Sequence, residues 1–224
     1  MRSTLKIRVF LTISVLLLLG ALSRDSTTIA LQQAYGPSAA QRYQGLKRLL
    51  RENQKTSPAI KLQRVNDFYN HLLFIDDQRL WGKSDYWASP LEFIGAGGGD
   101  CEDFSLAKYY SLRELGIPDK QLRLVYVKAL SLNQFHMVLA YYPQPEAMPL
   151  LLDNLNPKIL PANQRGDLAP VYSFNASELW LQREHGVSET VGSADRLSRW
   201  REVKQRVEQQ QLQRPKIRLD ANPL

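Results

Sequence analysis

The chain holds one cysteine, Cys101, and three histidines, His71, His136 and His185. A lone thiol cannot close an intramolecular disulfide, so no disulfide framework is available, and these few residues do not have the spacing of a zinc site. Net charge is +7 and the isoelectric point about 9.5, but the basic residues are spread along the chain and no RNA-binding aromatic signature accompanies them. That distribution serves solubility and electrostatic steering, and direct nucleic-acid binding is not expected. Repeats are absent, as are low-complexity stretches apart from a glycine run and a Gln-rich end. The main apolar run, Val9 to Leu19, is shorter than the ~20 residues of a bilayer span.

What is present suits a globular protein: 44% hydrophobic and 23% charged residues over 224 positions suit one domain or at most two. The opening "MRSTLKIRVFLTISVLLLLGALS" sets Arg2, Lys6 and Arg8 before the apolar run and small Ala21 and Ser23 after it. This is the plan of a secretory signal over residues 1–23, with an uncleaved anchor as the other reading. In both, the folded part lies outside the cytoplasm. Residues 30–214 read as the domain and 215–224 as a tail.

Helices come first. Pro37 opens an amphipathic stretch with Tyr43, Leu46, Leu49 and Leu50, and Ser57-Pro58 opens a second with Leu62, Val65, Tyr69 and Leu72. Ser89-Pro90 starts a short turn before the glycines, and a broad apolar face from Phe104 to Leu115 predicts a central helix beginning at Asp100 and ending at Gly116. Strand-like runs follow at Leu122–Leu130, Phe135–Tyr142 and Pro149–Leu155, separated by short turns that favour antiparallel neighbours. "VYSFNASELWLQ" offers a further strand and turn, and Leu197, Trp200, Val203 and Val207 mark a terminal amphipathic helix. The order predicts an α+β fold, with the central helix against an antiparallel sheet.

"GAGGGDCEDF" places Cys101 at the start of that helix, where unpaired N–H groups favour a thiolate, yet surrounds it with Asp100, Glu102 and Asp103, which disfavour one. A nucleophilic cysteine needs a base. His71 sits beside the apolar stripe of its helix and His185 in a polar stretch, whereas His136 lies within the apolar run "FHMVLAYY", where an unpaired ring would cost about 1–3 kcal/mol. Asp153 ends the next run, placed to face His136 from a neighbouring strand. Each residue alone also has a bland reading: a buried thiol, a structural histidine, a turn-starting aspartate. Likewise "DCED" could serve only to cap the helix.

The segments "DDQRLWGKSDYWASPLEFIGAGGGDCEDFSLAKYYSLRELGIP", "LRLVYVKALSLNQFHMVLAYYP" and "LLLDNLNPKILP" resemble the bacterial transglutaminase-like cysteine proteinases, the LapG-type periplasmic proteases, from about Ile60 to Trp180. The resemblance implies a papain-like, transglutaminase-like core with Cys101 as nucleophile, His136 as base and Asp153 as its orienting partner. It also implies Ca²⁺ held by Asp100 and Glu102, with Asp103 a further candidate. A hard cation there would offset the negative field on the thiol. Further implications are a periplasmic endopeptidase that cuts the N-terminal region of a large surface adhesin, so controlling biofilm attachment, and its sequestration by an inner-membrane cyclic-di-GMP receptor. Trp87 is a candidate for oxyanion or substrate contact, with core packing the simpler role for both Trp81 and Trp87. The same triad could instead transfer an acyl group to an amine, as a transglutaminase or amidase does, or the fold could persist as a non-catalytic binding module.

Overall fold

The computed structural model describes residues 25–182 and 188–219. The expected signal segment and His185 lie outside them. Three helices lead, α1 (Ser26–Tyr35), α2 (Pro37–Asn53) and α3 (Pro58–Asn70), followed by β1 (Leu73–Phe74), α4 (Asp77–Leu80), α5 (Pro90–Ala96) and β2 (Gly98–Gly99). Then come α6 (Cys101–Glu114), β3 (Leu122–Ala129), β4 (Gln134–Tyr141), β5 (Leu150–Leu152), β6 (Leu160–Pro161), β7 (Leu168–Phe174), β8 (Glu178–Gln182), β9 (Ser188–Ser193) and α7 (Ser198–Gln209). Strands β3 to β9 form one antiparallel sheet in the order β6-β5-β4-β3-β7-β8-β9, while β1 and β2 pair in parallel as a separate ribbon. Among the described residues no helix is long and apolar enough to cross a membrane.

Helix α6 lies against β3 and β4 on one side and α3 on the other. Its fully buried Leu106, Ala107 and Leu112 meet Leu124 of β3, Met137 and Leu139 of β4 and Leu152 of β5 in a single core. Each such leucine contributes about 1.5–3 kcal/mol by leaving water, so the helix carrying the cysteine is anchored by its apolar face. Ser105 Oγ adds a buried hydrogen bond to the Met137 carbonyl at 2.9 Å, tying the N-terminal half of α6 to the strand segment that carries His136.

The glycine run is ordered backbone. Gly97 ends α5 in the left-handed region at φ 81°, and Arg42, buried in the core, donates from Nε and Nη2 to the carbonyls of Ile94 and Gly95 that the helix leaves open. Gly98 and Gly99 then pair with Leu73 and Phe74. The third expected strand is shorter than its apolar run suggests, stopping at Leu152, because Asp153 Oδ1 accepts the Leu155 N–H at 2.9 Å and turns the chain. Helix α1 from Ser26 is part of the described fold, and residues 215–219 of the expected tail run along that fold. Lys216 N–H donates to the Leu80 carbonyl at 2.7 Å, and Ile217 and Leu219 pack on the core.

Candidate active site

Cys101 is the first residue of α6, half-buried, with the Met137 N–H of β4 close enough to favour its anion. Burial pushes the thiol well above its ordinary value, and the charges of Glu102 and Asp100 push it further. The thiol donates to Glu102 Oε2 at 2.8 Å. Without a compensating positive charge, this sulfur is held as a thiol.

His136 and Asp153 meet in the interior. His136 is 4% exposed and Asp153 1%, and the imidazole Nε2 bonds Asp153 Oδ1 at 2.7 Å. An ionised carboxylate only accepts, so Nε2 carries the proton and Nδ1 is left as the basic nitrogen. Burial alone would raise Asp153, but hydrogen bonds from His136, Leu155 N–H and Arg165 together hold it below the usual carboxylate value. Arg165 is a partner that sequence reasoning did not find: Nη2 donates to Asp153 Oδ2 at 2.8 Å. It lies beyond β6 in a loop that carries no motif, so only the fold reveals it.

A second group forms at the base of α6, where Asp77, Asp100 and Asp103 can each place an oxygen within 4.8 Å of the others. Asp103 is fully buried and accepts from the Ala88 N–H at 2.7 Å and the Asp100 N–H at 3.3 Å. Asp77 accepts from the Tyr86 N–H. Asp77 Oδ1 and Asp100 Oδ1 are buried with no hydrogen-bond partner. Burial and mutual repulsion raise all three: Asp77 to about 6, Asp100 to about 11 and Asp103 well above the ordinary value. Clustered hard oxygens, two of them orphaned, fit a divalent cation of the Ca²⁺ type. Of the expected set, Asp100 and Asp103 lie within this group, and Glu102 borders it at Asp100. Asp77, far away in sequence, joins them, while Glu102 both accepts from the thiol and acts on Asp100 through a hydrogen bond and its charge.

A cavity of about 410 Å³ opens beside this group, lined by Asp77, Asp100, Glu102, Trp87, Tyr126 and Tyr172 among others. Tyr126 stacks between Phe135 and Tyr172, with ring centroids 5.2 and 5.0 Å away, and Phe135 is exposed at the His136 end of β4. Trp81 and Trp87 are both buried, Trp81 against Tyr86 and Trp87 against Phe174, as core packing requires. Trp87 also reaches the cavity wall. His71 is exposed at the end of α3, its Nδ1 bonded to the Asp67 carbonyl.

Lys108, on α6, is buried, and burial lowers its ammonium to about 7 against the attraction of Asp153 and Asp67. The unfolded chain therefore holds a proton that the folded chain lacks between pH 7 and the ordinary lysine value. Stability from this group rises with pH across that window and is constant below it. Lys108→Met is expected to remove a slope of about 1 kcal/mol per pH unit between pH 7 and 9, read from denaturant titrations of both proteins.

A thiol at a helix start, packed on a strand whose histidine is bonded to an aspartate on the next strand's end, defines a cysteine peptidase of the papain-like kind. A sequence profile described as bacterial transglutaminase-like cysteine proteinase, BTLCP, matches residues 40–180, and the chain belongs to that family. Three solved structures of Legionella pneumophila LapG are similar to it. The calcium-bound form is 42% identical with TM-score 0.70, covering 80% of this chain and 97% of that one. The EGTA-treated form is 41% identical with TM-score 0.70, covering 80% and 96%. A third LapG structure is 42% identical with TM-score 0.71, covering 80% and 93%. No curated protein sequence matches the chain.

Proposed function

We propose that the protein is a calcium-dependent cysteine endopeptidase in which Cys101 attacks a peptide carbonyl. The observation that carries this reading is the buried 2.7 Å bond from His136 Nε2 to Asp153, which leaves Nδ1 to take the thiol proton. The sulfur would then add to the carbonyl carbon, and the Cys101 N–H, unpaired within the helix because it is first in it, would receive the developing oxyanion. The imidazolium gives its proton to the leaving amine, and water deprotonated by the same nitrogen releases the acyl group from the sulfur. When bound, a calcium ion would supply positive charge beside the thiol, held by Asp77, Asp100 and Asp103. Glu102, freed from the sulfur, is well placed to join them. Calcium binding by the Legionella relative supports this part.

The aromatic wall of Phe135, Tyr126 and Tyr172 offers a face for an extended peptide. By family resemblance we extend the proposal to the N-terminal region of a large surface adhesin as substrate, cut outside the cytoplasm to release the cell from a biofilm. Control by an inner-membrane cyclic-di-GMP receptor belongs to the same proposal. The net charge of +7 would favour an acidic target.

The test is incubation of the exported chain with adhesin fragments in Ca²⁺ or chelator, with mass mapping of products. Cleavage is expected only with Ca²⁺, and Cys101→Ser is expected to fold, bind Ca²⁺ and cut nothing. Uncut fragments with wild type, or equal cutting in chelator, would refute the reading. An excess of amine in the same reaction distinguishes acyl transfer from hydrolysis by product mass.

A further inference from the structure

We infer that Arg165 is a positioning residue of the hydrolytic site, fixing the Asp153 carboxylate from the side opposite His136 so that its other edge stays on the imidazole. This rests on the function proposed above. Arg165 donates from Nη2 to Asp153 Oδ2 at 2.8 Å and to Asp167 Oδ2 at 2.8 Å, and from Nε to Asp167 Oδ1 at 2.9 Å. The side chains of Arg165 and Asp153 are 3% and 0% exposed, that of Asp167 48%. A chain of bonds therefore runs from the surface through Asp167, Arg165 and Asp153 to His136.

Asp153 is buried, and protein donors hold it on both edges. Its Oδ1 takes His136 Nε2 and the Leu155 N–H, and its Oδ2 takes Arg165. A carboxylate bound on one edge alone can rotate away from the ring, whereas one bound on both edges cannot. The guanidinium does this with a planar fork gripped from behind by Asp167, an orientation a lysine ammonium cannot reproduce. A buried ion pair is a poor way to gain stability, since apolar residues of similar volume serve as well or better. Its place behind the histidine's partner points to the imidazole.

The experiment uses the full chain with Ca²⁺, with Arg165→Met, Arg165→Lys and Asp167→Asn compared by steady-state cleavage and by ¹⁵N chemical shifts of the labelled histidine rings. Arg165→Met is expected to lower kcat about 10- to 100-fold with KM within about 2-fold, the range for groups that orient a functional residue from behind. The His136 ring should lose its single Nε2-protonated form. Arg165→Lys should fall between, and Asp167→Asn, which loosens the grip on the guanidinium without removing it, should lower kcat by less than Arg165→Met. A purely structural role would lower the melting temperature and leave the tautomer untouched. Retention of the wild-type tautomer in Arg165→Met, or a change in KM alone, would overturn the inference. If Arg165→Met does not fold, Arg165→Lys decides: wild-type values in both readouts overturn it. Should the wild type cleave nothing, the proposed function fails, while the ring shifts still decide the role of Arg165.

Discussion

Asp153→Asn is expected to lower kcat by about 10⁴-fold while leaving Ca²⁺ binding unchanged. The two donors around the carboxylate give the reason. Asparagine has one oxygen and one NH₂, and the Arg165 guanidinium at the former Oδ2 position demands the oxygen. The NH₂ then faces His136 Nε2 and requires that nitrogen to accept. The ring proton moves to Nδ1, and the nitrogen left to receive the thiol proton already carries one. Loss of charge matters too, because the imidazolium formed during attack no longer has an anion 2.7 Å away. The measurement is single-turnover cleavage alongside calorimetric Ca²⁺ titration. A drop of less than about 10-fold would show that the aspartate does not set the ring. In the double variant with Arg165→Met the amide is free to turn its oxygen to the ring, so the two losses should not add.

Much of this arrangement was legible in the sequence because it rests on local signals. Cys101 at a helix start follows from the glycine run, the acidic cap and the apolar face after Phe104, all within one short stretch. His136 stood out as the one polar ring in an apolar strand, and the short turn before it made β3 and β4 antiparallel neighbours. Other features depend on contacts between distant segments. Asp77 reads as part of a turn-rich stretch, and only the pairing of β1 with the glycines brings that stretch to the base of α6. Arg165 belongs to a loop with no periodicity, and its charge is visible in the sequence while its target is not. Glu102 shows the opposite limit. Adjacency in sequence placed it with Asp100, which it meets, but the helix turns successive side chains by about 100°, and its Oε2 also takes the thiol, a contact the sequence does not announce.

Gly99→Ala is expected to abolish Ca²⁺ binding and, with it, cleavage. A Cβ built on Gly99 would lie 2.1 Å from Asp103 Oδ2 and 2.9 Å from Asp103 Cβ, so the buried carboxylate cannot keep its place. Asp103 has nowhere to go without giving up the Ala88 N–H, and overpacking of this kind costs about 1–3 kcal/mol by itself. Gly166→Ala is the control, since nothing lies within 4 Å of its added Cβ. The pH dependence follows from the same acids. Their folded-state values are raised, so the metal-free fold binds protons that the unfolded chain has lost, and its stability declines as pH rises from the ordinary carboxylate value through about 6 for Asp77 and on toward about 11 for Asp100. A cation that replaces those protons removes the decline. At pH 7, Ca²⁺ at 100 times its dissociation constant should stabilise the wild type by about 2.7 kcal/mol, or roughly 5–11 °C in melting temperature for a chain of this size. At pH 5 the gain should be smaller, because protons compete for the same oxygens. Gly99→Ala should melt at the same temperature with and without Ca²⁺ at both pH values. A calcium-dependent rise in that variant equal to wild type would mean that the ion is held elsewhere, and that the acids beside the thiol act only to cap the helix.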